Sequence, residues 1–435
     1  MTLLNQLREA TRSADLIRRV GRVHQISGTA IEAHGPDVAL GELCSVIPRQ
    51  GSSGVLAEVV SLRSGQVTLM PYGSVQGLAT GCEVVALGER SGVPVGPDLV
   101  GRVIDGFGRA LDGRPDPQGR QTQPLRAEPI NPMARPRIDT VLETGVRTID
   151  ALLTLGRGQR VGIFAGSGVG KSTLLGMVTR HVQADVNVIA LIGERGREVR
   201  EFIDEHLGEQ GLARSVVVVA TSDQPAPARL RAALAALAIA EYFRSLGQQV
   251  LLTMDSITRF AMARREVGLA AGEPPTVRGY TPSVFAEVPQ LCERCGTDGS
   301  GGSITALLTV LVEGDDHNEP ISDLLRATLD GHIVLNRELA HRGQYPAIDL
   351  LQSASRLLPD LASAAERELV LEAQRTLSLL ERNRQVIEIG AYTPGVNATL
   401  DRALAVEPAL IKVLRQTEGG VSRGEALRKL REALA

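Results

Sequence analysis

The chain has 435 residues, of which 43% are hydrophobic and 22% charged, a balance typical of a globular protein of two or three domains. The net charge is −3, aromatic residues are few and tryptophan is absent, so the sequence lacks the basic and stacking surfaces of general nucleic-acid binders. No apolar run is long enough to cross a bilayer, and the first residues lack a signal-peptide pattern. We therefore expect a cytoplasmic protein with no nucleic-acid partner.

The chain begins with a pattern of helical spacing. Residues 3–17 place apolar side chains on one side of a helical wheel and charged side chains elsewhere, which predicts an amphipathic helix over residues 1–18. Such a helix either packs on its own domain or docks onto a partner or a membrane surface. The pattern leaves both alternatives open.

Residues 19–90 contain short β-rich runs divided by turn signals, which predict a small closed β-barrel. The predicted strands are Val20–Gln25, Thr29–Ala33, Val55–Leu62, Gln66–Met70 and Glu83–Leu87. A stretch rich in glycine, proline and arginine follows from Gly92 to Pro136. Its prolines disfavour both helix and central strand, so it is predicted to be a linker that leads into the next domain.

A second domain, predicted over residues 91–359 with this lead-in included, alternates buried-type strands with helical segments. This alternation predicts an α/β fold with a mainly parallel sheet covered by helices. The predicted strands are Arg160–Phe164, Val186–Ile192, Val216–Ala220, Val250–Met254, Ile304–Val312 and Ile333–Leu335. The clearest helix is Pro227–Leu246. Helical periodicity in Ala364–Ile389 and Asp401–Leu414 predicts a third, helical domain over residues 360–435.

The cysteines do not form a recognisable metal site. Cys292 and Cys295 make a C-x-x-C pair, but Cys44 and Cys82 lie in a different predicted domain, so the second half of a zinc site is missing. We interpret Cys292 and Cys295 as small core residues.

A glycine-rich segment between the strand at Arg160 and the helix that we expect to begin at Lys171 is the strongest local signal. In such a P-loop the backbone N–H groups surround phosphates, a lysine reaches the β- and γ-phosphates and a hydroxyl binds Mg²⁺. Ala165 occupies the usual first glycine position, which alanine fits where no positive φ is needed. The candidate nucleotide-binding residues are Gly166, Ser167, Gly168, Val169, Gly170, Lys171, Ser172 and Thr173, with Ser172 also a candidate Mg²⁺ ligand.

Two carboxylates follow other predicted strands of the same sheet. Asp255 ends an apolar strand, where it can hold a Mg²⁺-bound water. Glu194 comes just after the strand Val186–Ile192 and can orient the water that attacks a phosphate. From the pattern alone, Glu194 is either this polarising group or a member of an ion-pair cluster with Arg195 and Arg197.

The segment from Asp255 to Pro275, which reads DSITRFAMARREVGLAAGEPP, closely resembles the ATPases of flagellar and virulence type III protein export. These enzymes are related to the catalytic subunits of rotary ATP synthases. Further matching segments are Gly101–Gly108, Gly279–Phe285, Val312–Asp316 with Glu319–Pro320, and Leu329–Leu335. The resemblance implies a RecA-like P-loop core, hydrolysis of Mg-ATP and a hexamer of identical subunits.

The resemblance also assigns roles to individual residues. Glu194 matches the catalytic carboxylate, and Arg195 and Arg259 match arginines that line the site. Tyr345 matches the residue whose ring packs on adenine, and Arg356 matches an arginine finger that acts on a neighbouring subunit's nucleotide. With Lys171, the predicted catalytic set is therefore Lys171, Glu194, Arg195, Arg259 and Arg356.

The family further implies partners: stalk and regulator proteins of the export apparatus, export chaperones and their substrates, and peripheral contact with an export gate at the inner face of the cytoplasmic membrane. The amino-acid sequences of the P-loop and of Val312–Asp316 favour the flagellar branch over the virulence branch. The alternatives are a rotary synthase catalytic subunit, an RNA translocase and a non-hydrolysing ring subunit. The acidic balance argues against RNA, and Glu194 argues against a non-hydrolysing subunit.

Overall fold

The computed structural model describes residues 18–49, 53–88, 92–119, 121–312 and 319–435. The predicted amphipathic helix at the start of the chain falls, except for Arg18, on residues outside these ranges. Among the described residues, no helix is both long and apolar enough to span a membrane.

The first described domain is a closed β-barrel, as predicted. Its strands follow the order β1-β2-β5-β4-β3-β6 around the barrel, with all neighbours antiparallel. They are β1 (Val20–Ser27), β2 (Ala30–His34), β3 (Leu43–Ile47), β4 (Val55–Arg63), β5 (Gln66–Pro71) and β6 (Glu83–Ala86). Alternate side chains such as Ile31 and Val84 fill the interior. The prediction missed β3, which is short and carries a serine and a cysteine among its apolar residues.

The glycine- and proline-rich lead-in is more regular than a linker. Strands β7 (Gly92–Val95) and β9 (Gln121–Pro124) pair with each other, and β8 (Arg102–Ile104) joins the edge of the central sheet. The prediction of a linker is therefore wrong for β8, a proline-free segment that needs hydrogen bonds only on one side because it is an edge strand. Arg102 pairs with Asp112 at 2.8 Å and fixes the following turn.

A mainly parallel sheet forms the centre of the molecule, as predicted. Its strand order is β19-β18-β12-β17-β15-β13-β14-β8, with β16 paired to β17. These strands are β12 (Arg160–Ala165), β13 (Val186–Ile192), β14 (Ser215–Ala220), β15 (Gln249–Asp255), β16 (Gly296–Thr297), β17 (Ser303–Leu311), β18 (Gly331–Leu335) and β19 (Ile348–Ser355). Only β16 and β19 run antiparallel among the described strands of this sheet. A further two-stranded pair joins β10 (Val141–Leu142) to β11 (Leu155–Gly156).

Helices cover both faces of the sheet because its strands are apolar on both sides. Along β13, Val188 and Ala190 belong to one core and Ile189 and Leu191 to the other. The helices before the C-terminal domain are α1 (Arg147–Leu152), α2 (Lys171–His181), α3 (Gly196–Glu201) with a π-helical turn at Phe202–Leu207, α4 (Gly208–Leu212), α5 (Ala226–Ser245), α6 (Ile257–Ala270), α7 (Pro282–Glu293), α8 (Pro320–Thr328) and α9 (Arg337–His341).

The C-terminal domain is helical, as predicted. After the short α10 (Leu358–Leu361) it contains α11 (Ala364–Glu388), α12 (Ala398–Leu414) and α13 (Arg423–Leu434). Ser363 and Glu366 form a capping box at the start of α11, which satisfies backbone N–H groups that a helix leaves unpaired there. Apolar side chains of α11–α13 extend one of the two sheet cores, so this domain packs on the central sheet domain.

The fold also contains a buried ion pair that joins α5 to the end of α7. Glu241 accepts two hydrogen bonds from the Arg294 guanidinium, at 2.8 and 2.6 Å, and both side chains are about 5% exposed. The same guanidinium donates to the Leu125 carbonyl at 2.7 Å. Nearby, Cys292 and Cys295 lie fully buried in the same core, the place expected for small core residues.

Removing Glu241 should destabilise the central domain strongly, because the Arg294 charge would then be buried without a counter-charge. We expect Glu241→Ala to lower the free energy of unfolding by about 3–5 kcal/mol. Glu201→Ala is the matched control, since it breaks an exposed pair with Arg197 and should cost less than about 1 kcal/mol. Denaturant unfolding measures both, and equal losses in the two variants would contradict this account.

Candidate active site

The predicted P-loop lies between the end of β12 and the start of α2. Gly168 and Gly170 have φ values of 75° and 88°, a backbone region that side chains other than glycine rarely adopt. Ala165 instead ends the extended β12 and pairs with Leu311 and Leu335, which explains why alanine replaces glycine there. The loop leads into the first turn of α2 and lines an adjoining cleft, and the unpaired backbone N–H groups of such a helix start are the groups that bind phosphate.

The cleft has a volume of about 710 Å³ and brings together most of the predicted site. The predicted residues that line it are Gly166, Ser167, Gly168, Gly170, Lys171, Ser172, Thr173, Glu194, Arg195, Asp255 and Arg259. Val169 is placed differently, since its side chain is buried in the core beneath the loop. The structure does not place Tyr345 or Arg356 among the residues that line the cleft.

Lys171 is the centre of the charged groups in the cleft. Its Nζ lies 2.6 Å from Asp255 Oδ1 and 3.6 Å from Glu194 Oε1, and the side chain is only 14% exposed. Burial disfavours the charge on Lys171, but the neighbouring carboxylates of Asp255 and Glu194 outweigh it, so its pKa is raised. The ammonium therefore stays charged and is available to an anion.

Asp255 is the last residue of β15 and is almost fully buried. Thr309, on the adjacent strand β17, donates a hydrogen bond from Oγ1 to Asp255 Oδ1 at 2.7 Å. The next residue, Ser256, caps α6 by accepting from the Arg259 N–H. The carboxylate is thus fixed by a strand on one side and a helix start on the other, and its oxygens together with the Ser172 hydroxyl are the ligand types that Mg²⁺ prefers.

Glu194 follows β13 by two residues and turns into the cleft after Gly193, whose φ is 72°. Burial, followed by repulsion from Asp255, raises the pKa of Glu194 to about 7, although Lys171 acts in the opposite direction. Its buried Oε1 accepts no hydrogen bond from the described residues. A carboxylate with a raised pKa and an oxygen available inside a cleft is suited to accept a proton or orient a water.

The three arginines of the predicted catalytic set lie at different distances from the interior of the cleft. Arg259 packs its aliphatic stem about 3.0 Å from where a side-chain carbon on Gly193 would lie, so glycine is needed for this close approach. Arg195 is on the rim, 81% exposed and 3.5 Å from Glu198. Arg356 is exposed on the surface beyond β19, where its guanidinium donates to the Arg326 carbonyl at 3.0 Å.

Tyr345 lies next to the P-loop, outside the cleft itself. Two carbons of its ring are 3.3 Å from where a side-chain carbon on Gly170 would be, and the residue is 44% exposed. Tyr345 is therefore partly open to solvent beside the phosphate-binding loop. An aromatic group in this position can stack on a planar base.

Sequence reasoning missed several residues that complete the cleft. They are Glu198, Phe202, Ser222, Thr258, Met262, Glu319 and Arg337. Thr309, which holds Asp255, was missed as well. Thr258 and Met262 both lie on α6, but the others lie on different helices, on a strand or in loops, so the fold of the chain brings them together and no single motif contains them.

Comparison with known proteins identifies the family. The nucleotide-binding domain of the ATP synthase alpha/beta family matches residues 145–355, the beta-barrel domain of that family matches residues 23–88, and the T3SS EscN ATPase C-terminal domain matches residues 362–432. The flagellum-specific ATP synthase of Bacillus subtilis is 52% identical and covers 92% of each chain. This chain belongs to the type III export ATPase family.

ATPases of type III secretion systems are similar too. The type 3 secretion system ATPase of Xanthomonas euvesicatoria is 48% identical over 94% of this chain and 92% of its own length. The solved structure of the assembled ATPase EscN from the enteropathogenic E. coli type III secretion system superposes with a TM-score of 0.90 at 43% identity, covering 95% of this chain and all of that chain. As a member of this family of ATPases, the protein binds and hydrolyses ATP.

The raised pKa of Glu194 predicts an acid limb in the rate of ATP hydrolysis. Below the folded-state pKa of about 7 the carboxyl of the free enzyme is protonated and cannot accept a proton from water, so kcat/KM should fall as the pH falls through about 7 and level off above it. Steady-state hydrolysis at ATP concentrations well below KM, measured across this pH range, gives kcat/KM and tests the prediction.

The control is Glu194→Gln, which keeps the shape but not the charge. It should lower kcat by at least about 10²-fold and lose the acid limb. A pH profile that stays flat through 7, or a Glu194→Gln variant with near-normal kcat, would contradict the role assigned to this carboxylate.

Proposed function

We propose that this protein is the homohexameric Mg-ATP hydrolase that energises type III protein export, of the flagellar branch. The observation that carries the proposal is the meeting of Lys171, Glu194 and Asp255 in one cleft beside the P-loop, with Lys171 Nζ 2.6 and 3.6 Å from the two carboxylates. Phosphate binding, proton acceptance and cation binding are thereby available within one site.

In this proposal the P-loop residues Gly166–Thr173 hold the phosphates through backbone N–H groups, and Lys171 pairs with the β- and γ-phosphates. Glu194 accepts hydrogen bonds from the attacking water and orients it. Arg259, on the wall of the cleft, and Arg195, on its rim, add positive charge near the γ-phosphate. Tyr345 stacks its ring on adenine beside Gly170.

Mg²⁺ fits the donor set of this cleft. Asp255 is a nearly buried carboxylate and Ser172 presents a hydroxyl from the first turn of α2, so these two residues would hold the ion directly or through water. When bound, Mg²⁺ would neutralise charge on the β- and γ-phosphate oxygens. The surrounding residues orient these ligands. Thr309 orients Asp255 by donating a hydrogen bond to its carboxylate.

The position of Arg356 supports a site that is shared between subunits. It lies on the surface and donates to the Arg326 carbonyl rather than lining the cleft of its own chain. In a ring, an exposed arginine on one subunit can reach the nucleotide bound by the next and stabilise charge on the transferred phosphoryl group. The assembled form of EscN supports a ring of identical subunits for this chain.

The names of the relatives and the match of the C-terminal domain to export ATPases both support a role in protein export. The relatives from Bacillus subtilis and Treponema pallidum, at 52% and 50% identity, are named flagellum-specific ATP synthases, which favours the flagellar branch. A solved structure of EscN includes its central stalk EscO, so a stalk protein is the first partner that we propose. Regulators, chaperones with their export substrates, and peripheral contact with a membrane export gate complete the proposed setting, at the inner face of the cytoplasmic membrane.

The alternative of a rotary synthase subunit is less well supported. Its site would contain the same Lys171, Glu194 and Asp255, but residues 362–432 match the C-terminal domain of the export enzymes. The placement of Glu194 inside the cleft likewise disfavours a non-hydrolysing ring subunit.

Arg356→Ala should separate nucleotide binding from hydrolysis. If Arg356 acts on a neighbour's nucleotide, the variant should bind ATP normally and hydrolyse it about 10³-fold more slowly. Wild-type activity per subunit should rise with protein concentration, because sites form only on assembly. The assays are ATP binding by calorimetry and steady-state hydrolysis over a wide concentration range.

Arg428→Ala is the matched control, since Arg428 is an exposed arginine that pairs with Glu432 on α13. It should keep wild-type activity. Activity per subunit that is independent of concentration, together with an active Arg356→Ala variant, would rule out shared sites.

A further inference from the structure

The connection between α12 and α13 contacts the nucleotide-binding domain through Gln416. This side chain is 7% exposed, and both the oxygen and the nitrogen of its amide make hydrogen bonds. Its Oε1 accepts from the Arg147 N–H at 2.8 Å, and its Nε2 donates to the Gly145 carbonyl at 2.9 Å and to the Glu418 carbonyl at 2.7 Å. The amide therefore ties the C-terminal domain to the turn that begins α1.

The residues after Gln416 lie unusually close to the core. A side-chain carbon on Gly419 would be 2.2 Å from the ring of His181, the last residue of α2, and one on Gly145 would be 2.8 Å from the Gly420 backbone. Backbone therefore packs directly on backbone and on an imidazole. The connection is held in one position relative to α2, the helix that the P-loop opens.

The same connection touches the residue that lies against the P-loop. The Gln416 N–H donates to the Tyr345 carbonyl at 2.8 Å, while the Tyr345 ring packs beside Gly170. A single backbone hydrogen bond thus connects the C-terminal domain to Tyr345, the residue that carries the aromatic ring. The side-chain amide of Gln416 fixes the backbone that makes this bond, because it is anchored on Gly145 and Arg147 at the same time.

We propose that Gln416 is a positioning residue through which the C-terminal helical domain sets the place of the Tyr345 ring, and so the affinity for the base of the nucleotide. The inference depends on the proposed function in one respect, the stacking of Tyr345 on adenine. Gln416 itself touches neither base nor phosphate. Its effect should therefore appear only with ligands that carry a base.

The test compares Mg-ATP with Mg-tripolyphosphate, which offers the phosphates without the base. In the full chain, Gln416→Ala removes three side-chain hydrogen bonds and should weaken ATP binding roughly 2- to 10-fold, since only part of their free energy is transmitted to Tyr345. The KM for ATP should rise in step, and kcat should stay within about twofold, because the groups at the phosphates are untouched. Tripolyphosphate affinity should not change.

Two further variants separate positioning from a loss of packing. Gln416→Met keeps the length of the side chain without its hydrogen bonds and should behave as Gln416→Ala. Thr148→Val is the matched control, because it removes another bond across the same domain junction, from Thr148 Oγ1 to the Leu414 carbonyl at 3.3 Å, without touching Tyr345. It should leave the affinity for ATP unchanged.

Tyr345→Ala completes the design. It should weaken ATP binding by itself, and adding Gln416→Ala to it should cause no further loss, since coupled residues give non-additive effects. Equal weakening of ATP and tripolyphosphate in Gln416→Ala, or an additive double variant, would overturn the proposal. Normal ATP affinity in Tyr345→Ala would remove the stacking role and this proposal with it, whereas a loss confined to Tyr345→Ala would overturn only the role of Gln416.

Discussion

The parallel pairing of the central strands is the constraint on which the site depends. Strands β12, β13 and β15 run in the same direction, so the P-loop, Glu194 and Asp255 all emerge at one edge of the sheet. Each carboxylate would be costly to bury alone, but Lys171 lies between them and compensates both. The fold therefore concentrates charged groups in a small cleft, where burial, followed by repulsion from Asp255, raises the pKa of Glu194 to about 7 although Lys171 acts in the opposite direction.

The β-barrel and the C-terminal helical domain contact different elements of the central domain. The barrel lies before the lead-in, whose strand β8 is hydrogen-bonded at the far edge of the sheet from β19. The C-terminal helices share a hydrophobic core with α2 and meet the Tyr345 backbone through Gln416. A partner that binds α11–α13 therefore has a short path to the nucleotide site, and the barrel reaches α6, the helix that carries Arg259, through Met70, which packs on Ala263 and Val267.

Much of the site was predictable because its residues belong to local patterns. Lys171 and Asp255 follow apolar strands, and such strands end at a common edge once they are parallel. Thr309 was not predictable, since its contact with Asp255 exists only because β17 lies beside β15. In the fold, β8 was taken for linker because the neighbouring prolines outweighed its three residues, and β19 was missed because it pairs antiparallel, outside the β-α alternation that revealed the other strands.

The most direct test of the shared site mixes two variants that are inactive for different reasons. Lys171→Ala removes the phosphate-binding lysine but keeps Arg356, and Arg356→Ala does the reverse. In randomly mixed rings, roughly a quarter of the interfaces join an intact Lys171 to an intact Arg356 of the neighbour. Our account predicts that mixing restores about that fraction of wild-type hydrolysis. Mixed rings that assemble and remain inactive would contradict it.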